Sequence, residues 1–157
     1  MKKKVKTLLI CVLIPVMTGI TASLLTGGVM ETFKELNKPT LSPPGWLFPV
    51  VWTVLFILMG IASYFVVISG ARQKYIISAL KTYGLQLVVN FLWSFIFFTF
   101  EQYCLAFVWL LLLWVLILIT IKKFWAVSMK AGVLLIPYLI WVTFAGYLNI
   151  SICLLNK

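Results

Sequence analysis

Five apolar runs, each long enough to cross a lipid bilayer as a helix, constrain this chain more than any other feature. They cover residues 5–27, 45–69, 76–100, 103–121 and 131–155. About 20 apolar residues suffice for one helical crossing of the hydrocarbon core. In lipid every backbone polar group must be satisfied internally, which selects helices for runs of this kind. Hydrophobic residues make up 64% of the sequence and charged residues 10%, against about 25% charged in soluble domains. Too little polar surface is left to coat a water-soluble globule. The expectation is an all-α fold, a single integral membrane domain over residues 1–157 built from five transmembrane helices. A basic start followed by an apolar run also describes a signal peptide. The first run is long for that, and no small-x-small cleavage site leads into a soluble domain, so it reads as a retained span.

Charge placement gives the orientation. Lys2, Lys3, Lys4, Lys6, Arg72, Lys74, Lys81, Lys122, Lys123 and Lys130 fall on one side of a five-span chain, ten basic residues in all. Lys34, Lys38 and Lys157 fall on the other, with all three glutamates. Such a bias places the N-terminus in the cytoplasm and the C-terminus, with the long loop 28–44, outside. The basic N-terminus and the lack of a transit peptide favour a bacterial plasma membrane. The net charge of +10 is spread over the run ends and forms no patch with interleaved polar contacts, so no nucleic-acid partner is expected.

Missing residue types exclude chemistry. The chain has no His and no Asp, and its acids are Glu31, Glu35 and Glu101. Histidine zinc sites, Ser-His-Asp triads and Asp-based phosphoryl transfer are therefore unavailable. No metal site is expected and no cofactor is required. Cys11, Cys104 and Cys153 are far apart in sequence and odd in number, so they read as buried free thiols acting as small hydrophobes.

Local signals mark the runs. Pro15 is expected to kink the first, whose Gly19, Ser23 and Gly27 form a small-residue packing face. Ser42 before Pro43-Pro44 reads as the N-cap of the second. Pro137 frees a backbone carbonyl near Val133. Lys122 to Lys130 read as a connector.

Polar and aromatic side chains at membrane depth point to a site. Gln86, Asn90 and Ser94 share a face of the third run. Tyr138, Trp141, Ala145 and Asn149 share one of the fifth, and Trp52, Phe56 and Gly60 one of the second. If these stripes converge, they enclose a cavity walled by rings with a few amides, suited to a flat, largely apolar ligand. The alternative is structural: amides as interhelical glue, rings as packing or headgroup anchors. Trp46, Trp109, Trp125 and Tyr103, near run ends, fit anchoring or packing; Trp52, Trp93 and Trp141 lie deeper.

Three segments resemble one family. Lys38-Pro39-Thr40-Leu41-Ser42-Pro43-Pro44-Gly45-Trp46 with Phe48-Pro49-Val50-Val51-Trp52-Thr53 is similar to the loop and second-span signature of the TspO/MBR family. These are the translocator proteins, or tryptophan-rich sensory proteins. Gln86 to Ser94 with Phe97-Phe98, and Pro137 to Trp141 with Phe144-Ala145, Leu148-Asn149 and Asn156, resemble its third and fifth spans. The resemblance implies a five-helix bundle, usually a homodimer, that binds porphyrins such as protoporphyrin IX and other flat hydrophobic small molecules. It implies a receptor with a tetrapyrrole-linked regulatory or stress role. The alternatives are a light- and oxygen-dependent porphyrin-degrading enzyme and a passive tetrapyrrole transporter. By motif match the ligand site comprises Trp52, Phe56, Gln86, Asn90, Trp93, Tyr138, Trp141, Ala145, Leu148 and Asn149. Pro39, Pro43, Pro44 and Trp46 form its lid loop, and Trp52 and Trp141 are the reactive groups if the chemistry is photochemical. Phe91, Phe95 and Phe98 offer a dimer contact.

The departures are specific. Leu41 stands where the family's loop tryptophan is usual, and Phe56 where many members have tyrosine. No basic residue follows Tyr147 closely enough to complete the family's sterol motif. Without histidine to ligate haem iron, a metal-free porphyrin is the expected ligand.

Overall fold

The computed structural model describes residues 2–27 and 36–156. Glu31, Lys34 and Glu35, with the rest of residues 28–35 in the loop 28–44, and Lys157 lie outside the described residues. Among those described there are helices and no strands: α1 (Lys2–Thr26), α2 (Leu47–Val67), α3 (Gln73–Ser94), a π-helical turn (Phe95–Thr99), α4 (Tyr103–Val127), α5 (Met129–Leu134) and α6 (Ile136–Leu155). Five spans are long and apolar enough to cross a membrane, α3 with the π turn forming the third and α5 with α6 the fifth.

The spans close a ring in the order one, two, five, four, three. α1 sits at the periphery, with Cys11, Pro15, Ala22 and Thr26 its buried residues. It runs as one helix through Pro15. The α1–α2 contact depends on Gly60: a Cβ there would collide with the backbone of Val12 and lie 2.8 Å from the Cys11 carbonyl oxygen. Such small residues let backbones approach where lipid supplies no hydrophobic drive between helices.

Several boundaries differ from the expected ones. α2 begins at Leu47, not after Ser42. Ser42 closes a turn instead, its amide donating to the Pro39 carbonyl at 3.0 Å. Pro49 then falls in the first turn of α2, where a missing N–H costs nothing. The fourth span continues to Val127 through Lys122 and Lys123. Lysine is a good helix former whose stem stays apolar while its amine reaches water. Lys123 Nζ donates to Thr82 Oγ1 at 2.7 Å and to Ser78 Oγ at 3.1 Å, tying α4 to α3. The connector shrinks to Ser128, in extended conformation. Gly132 allows this tight reversal, since a Cβ there would lie 2.8 Å from the Trp125 ring.

The cysteine reading is corrected for two of three residues. Cys104 and Cys153 form a disulfide, with Cα atoms 5.0 Å apart, joining the adjacent ends of α4 and α6. Sequence distance hid the pair because antiparallel spans bring distant residues level. Cys11 is a buried free thiol, as expected.

The third span widens at its end. Phe100 N–H donates to the Phe95 carbonyl at 2.9 Å, an i to i−5 bond. Glu101 then takes a left-handed conformation (φ 51°) to start the return. The fifth span breaks at Leu135, two residues before Pro137. Span two packs closely on α5 but parts from α6. That divergence opens the bundle toward the end that carries the loop and the C-terminus.

Candidate ligand-binding cavity

A cavity of about 440 Å³ occupies this opening, within the roughly 300–1,000 Å³ usual for small-molecule sites. Four spans line it. Of the residues expected at the site, Trp52, Phe56, Asn90, Trp93, Trp141, Ala145, Leu148 and Asn149 are on its wall. Gln86 and Tyr138 are not on the wall; each is 1% exposed, in the core behind it. Among the lid residues, Pro39, Pro43, Pro44 and Trp46 do not reach the wall. Trp46 is 62% exposed, as suits a ring at a membrane interface.

The rings form three groups. Trp52 lies 5.6 Å from Phe56 at 30° on α2. Trp141 of α6 meets Phe48 edge-on at 5.8 Å. Trp93 stacks on Phe97 at 5.1 Å and meets Phe98 edge-on at 6.0 Å. The π turn makes the last group possible. Closing over five residues, it carries Phe98 round to the face of Trp93 and Phe97, which an α-helix would not do. Of the residues read as a dimer contact, Phe91 and Phe98 line the cavity and Phe95 does not. The exposed stripe of α3 is Leu85, Val88 and Leu92.

The α1 wall was not foreseen. Val16, Gly19, Ser23 and Thr26 line the cavity. The small-residue face read as helix packing is in part space left for the site. A Cβ on Gly19 would collide with the Phe56 ring, so glycine is what lets that ring lie against α1.

The polar groups are mostly committed. Trp93 Nε1 donates to Asn149 Oδ1 at 3.2 Å, and Asn149 Nδ2 to the Tyr103 carbonyl at 2.7 Å. Asn149 therefore joins three spans and is the interhelical glue of the alternative reading. Asn90 Nδ2 donates to Tyr138 Oη at 3.0 Å, and Tyr138 O–H to Gln86 Oε1 at 2.9 Å. Trp109, expected at a span end, donates across to the Val89 carbonyl at 2.9 Å. Trp141 Nε1 differs: it is buried and makes no hydrogen bond among the described residues. A buried donor left unpaired costs about 1–3 kcal/mol.

Five spanning helices, four of which line an aromatic-walled cavity, define an integral membrane protein with an internal opening sized for a small organic molecule. The chain matches the TspO/MBR family over residues 11–155. It is 38% identical over 157 residues to the tryptophan-rich protein TspO of Chlorobaculum tepidum, with 99% of each chain covered. It is 37% identical over 138 residues to protein CrtK of Rhodobacter capsulatus, covering 88% of this chain and 85% of that one. It is 34% identical over 139 residues to the translocator protein of Bos taurus, covering 87% and 82%. The chain belongs to the TspO/MBR family.

Proposed function

We propose that this protein is a membrane receptor that holds a metal-free porphyrin, or a similarly flat hydrophobic molecule, in the aromatic cavity. The observation that carries the reading is the placement of Trp52, Trp93 and Trp141 around one opening. Rings offset-stack or meet edge-to-face with a planar ligand. The test is a titration with protoporphyrin IX in the dark, followed by tryptophan fluorescence. Saturable quenching that Trp52→Ala and Trp141→Ala weaken supports the reading; quenching that fails to saturate overturns it.

A second reading, light- and oxygen-dependent porphyrin degradation, is favoured by the oxidisable indoles of Trp52, Trp93 and Trp141 on the cavity wall. Light-dependent loss of the porphyrin band beyond a protein-free control distinguishes it. Passive transport would instead give flux in proteoliposomes above that of empty vesicles.

The orientation forms part of the proposal: N-terminus in the cytoplasm, C-terminus outside, in a bacterial plasma membrane. Its support is the basic-residue bias together with the disulfide at Cys104 and Cys153, which lies at the end assigned to the outside. Disulfides persist in oxidising compartments. Homodimers are proposed through the α3 stripe of Leu85, Val88 and Leu92, and cross-linking from Val88→Cys tests that contact.

A further inference from the structure

The cavity wall has an amide whose orientation is dictated from the far side of the core. Met59 is fully buried, and its thioether sulfur can accept a hydrogen bond but has no proton to give. Gln86 therefore turns its NH₂ toward it, with Nε2 3.8 Å from Met59 Sδ. That leaves Gln86 Oε1 facing Tyr138, whose O–H donates to it at 2.9 Å. With its proton spent, Tyr138 Oη can only accept, and Asn90 Nδ2 donates to it at 3.0 Å. Asn90 lies on the cavity wall, and its Oδ1 makes no hydrogen bond among the described residues. The opposite orientation would set Gln86 Oε1 against a sulfur that cannot donate.

We infer that Met59, Gln86 and Tyr138 act as positioning residues that fix Asn90 with its carbonyl oxygen toward the cavity. The site thereby selects planar ligands that present an N–H or O–H donor at that point over isosteres that cannot donate. The inference rests on the cavity being a ligand site. Among the other polar wall groups, the Thr18, Thr26 and Thr53 hydroxyls donate to carbonyls of their own helices and so can also only accept, but Tyr138→Phe leaves them unchanged. Asn149 is bonded through both ends of its amide, and the hydroxyls of Ser23 and Ser94 can donate or accept.

The test uses two flat tricyclic probes of nearly the same shape: carbazole, with a ring N–H, and dibenzofuran, with oxygen in its place. Binding to the full chain in detergent is measured by equilibrium dialysis of the radiolabelled probes, with protein-free micelles subtracted. Carbazole is expected to bind about 5- to 10-fold tighter, the size of one net hydrogen bond in a dry site. Tyr138→Phe removes the acceptor that holds the Asn90 amino group. The carbazole preference should then fall to about one or below, while dibenzofuran affinity stays within about twofold. A packing role for Tyr138 would move both probes together, and that result overturns the inference. If Tyr138→Phe does not fold, Met59→Leu keeps the volume but removes the sulfur, and it should reduce the preference in the same direction. Equal binding of the probes to the unmodified protein overturns the inference while leaving the cavity reading intact. Binding of neither overturns both.

Discussion

Asn156 grips the peptide of Asn37 from both sides. The Asn37 N–H donates to Asn156 Oδ1 at 3.0 Å, and Asn156 Nδ2 donates to the Asn37 carbonyl at 2.9 Å. A third bond, from Nδ2 to the Ile152 carbonyl at 2.9 Å, anchors the amide to its own helix. One side chain 119 positions away in sequence thus stands in for a backbone partner. It ties the start of the loop 36–46 to the end of α6, one turn beyond the cavity residue Ile152.

Replacing Asn156 with Ala should release the loop without unfolding the bundle. Of the three bonds lost, the two that hold the loop are solvent-exposed and together contribute about 1–2 kcal/mol. Hydrogen exchange read by mass spectrometry should speed up in peptides covering 36–46 by about 5- to 30-fold and stay unchanged in α3 and α4. Unchanged exchange in the loop would show that the prolines alone hold it.

The Cys104–Cys153 bond closes a loop of 49 residues, and chain entropy assigns such a cross-link up to about 4 kcal/mol. Spans already held in a bilayer gain less, because their unfolded state is restricted. Reduction is therefore expected to lower the apparent melting temperature in detergent by several degrees, and Cys153→Ser should abolish that response. On intact cells a membrane-impermeant phosphine reductant should expose both thiols to maleimide if this end faces outward. Labelling only after lysis would reverse the proposed orientation.

Gly19 and Phe56 form a lock in which one residue's lack of a side chain holds the other's ring. Gly19→Ala should push Phe56 toward the cavity. It should destabilise the fold by about 1–3 kcal/mol, the range for overpacking, and weaken protoporphyrin binding. Adding Phe56→Leu should recover most of the stability. A double-mutant cycle with a coupling below about 0.5 kcal/mol would show the two sites to be independent.

Residue pattern carried the fold because the bilayer leaves so few choices. Run length, the basic-residue bias and the aromatic stripes on spans two, three and five were all legible. What escaped depends on contacts between spans. Cys104 and Cys153 are level only once α4 and α6 are antiparallel. Gln86 and Tyr138 sit on the same helical faces as Asn90 and Trp141, but depth in the bundle puts them behind the wall. The face of α1 looked like packing because small residues serve close approach and open space equally well. Lys122 and Lys123 looked like a loop because charge was read as solvent, whereas Lys123 finds its acceptors on Ser78 and Thr82.

Trp141 separates a wall from a reagent. Its Nε1 is buried without a partner among the described residues, unlike Trp109 and Trp114, which donate to the Val89 carbonyl and to Thr143 Oγ1, each at 2.9 Å. Trp141→Phe removes an unsatisfied donor along with some packing volume, and the two effects oppose each other. Its cost should stay below about 1 kcal/mol, whereas Trp109→Phe leaves a carbonyl short of a bond and should cost about 1–3 kcal/mol. Equilibrium unfolding of the two variants checks that contrast. With protoporphyrin IX in the dark, Trp141→Phe should weaken binding about 3- to 10-fold if the indole N–H meets an acceptor on the ligand. Under illumination the same variant, saturated with porphyrin, decides what the indole does. Degradation that stops while binding persists makes the indole a reactant. Degradation that tracks occupancy makes it a surface, and the receptor reading then stands without an enzyme.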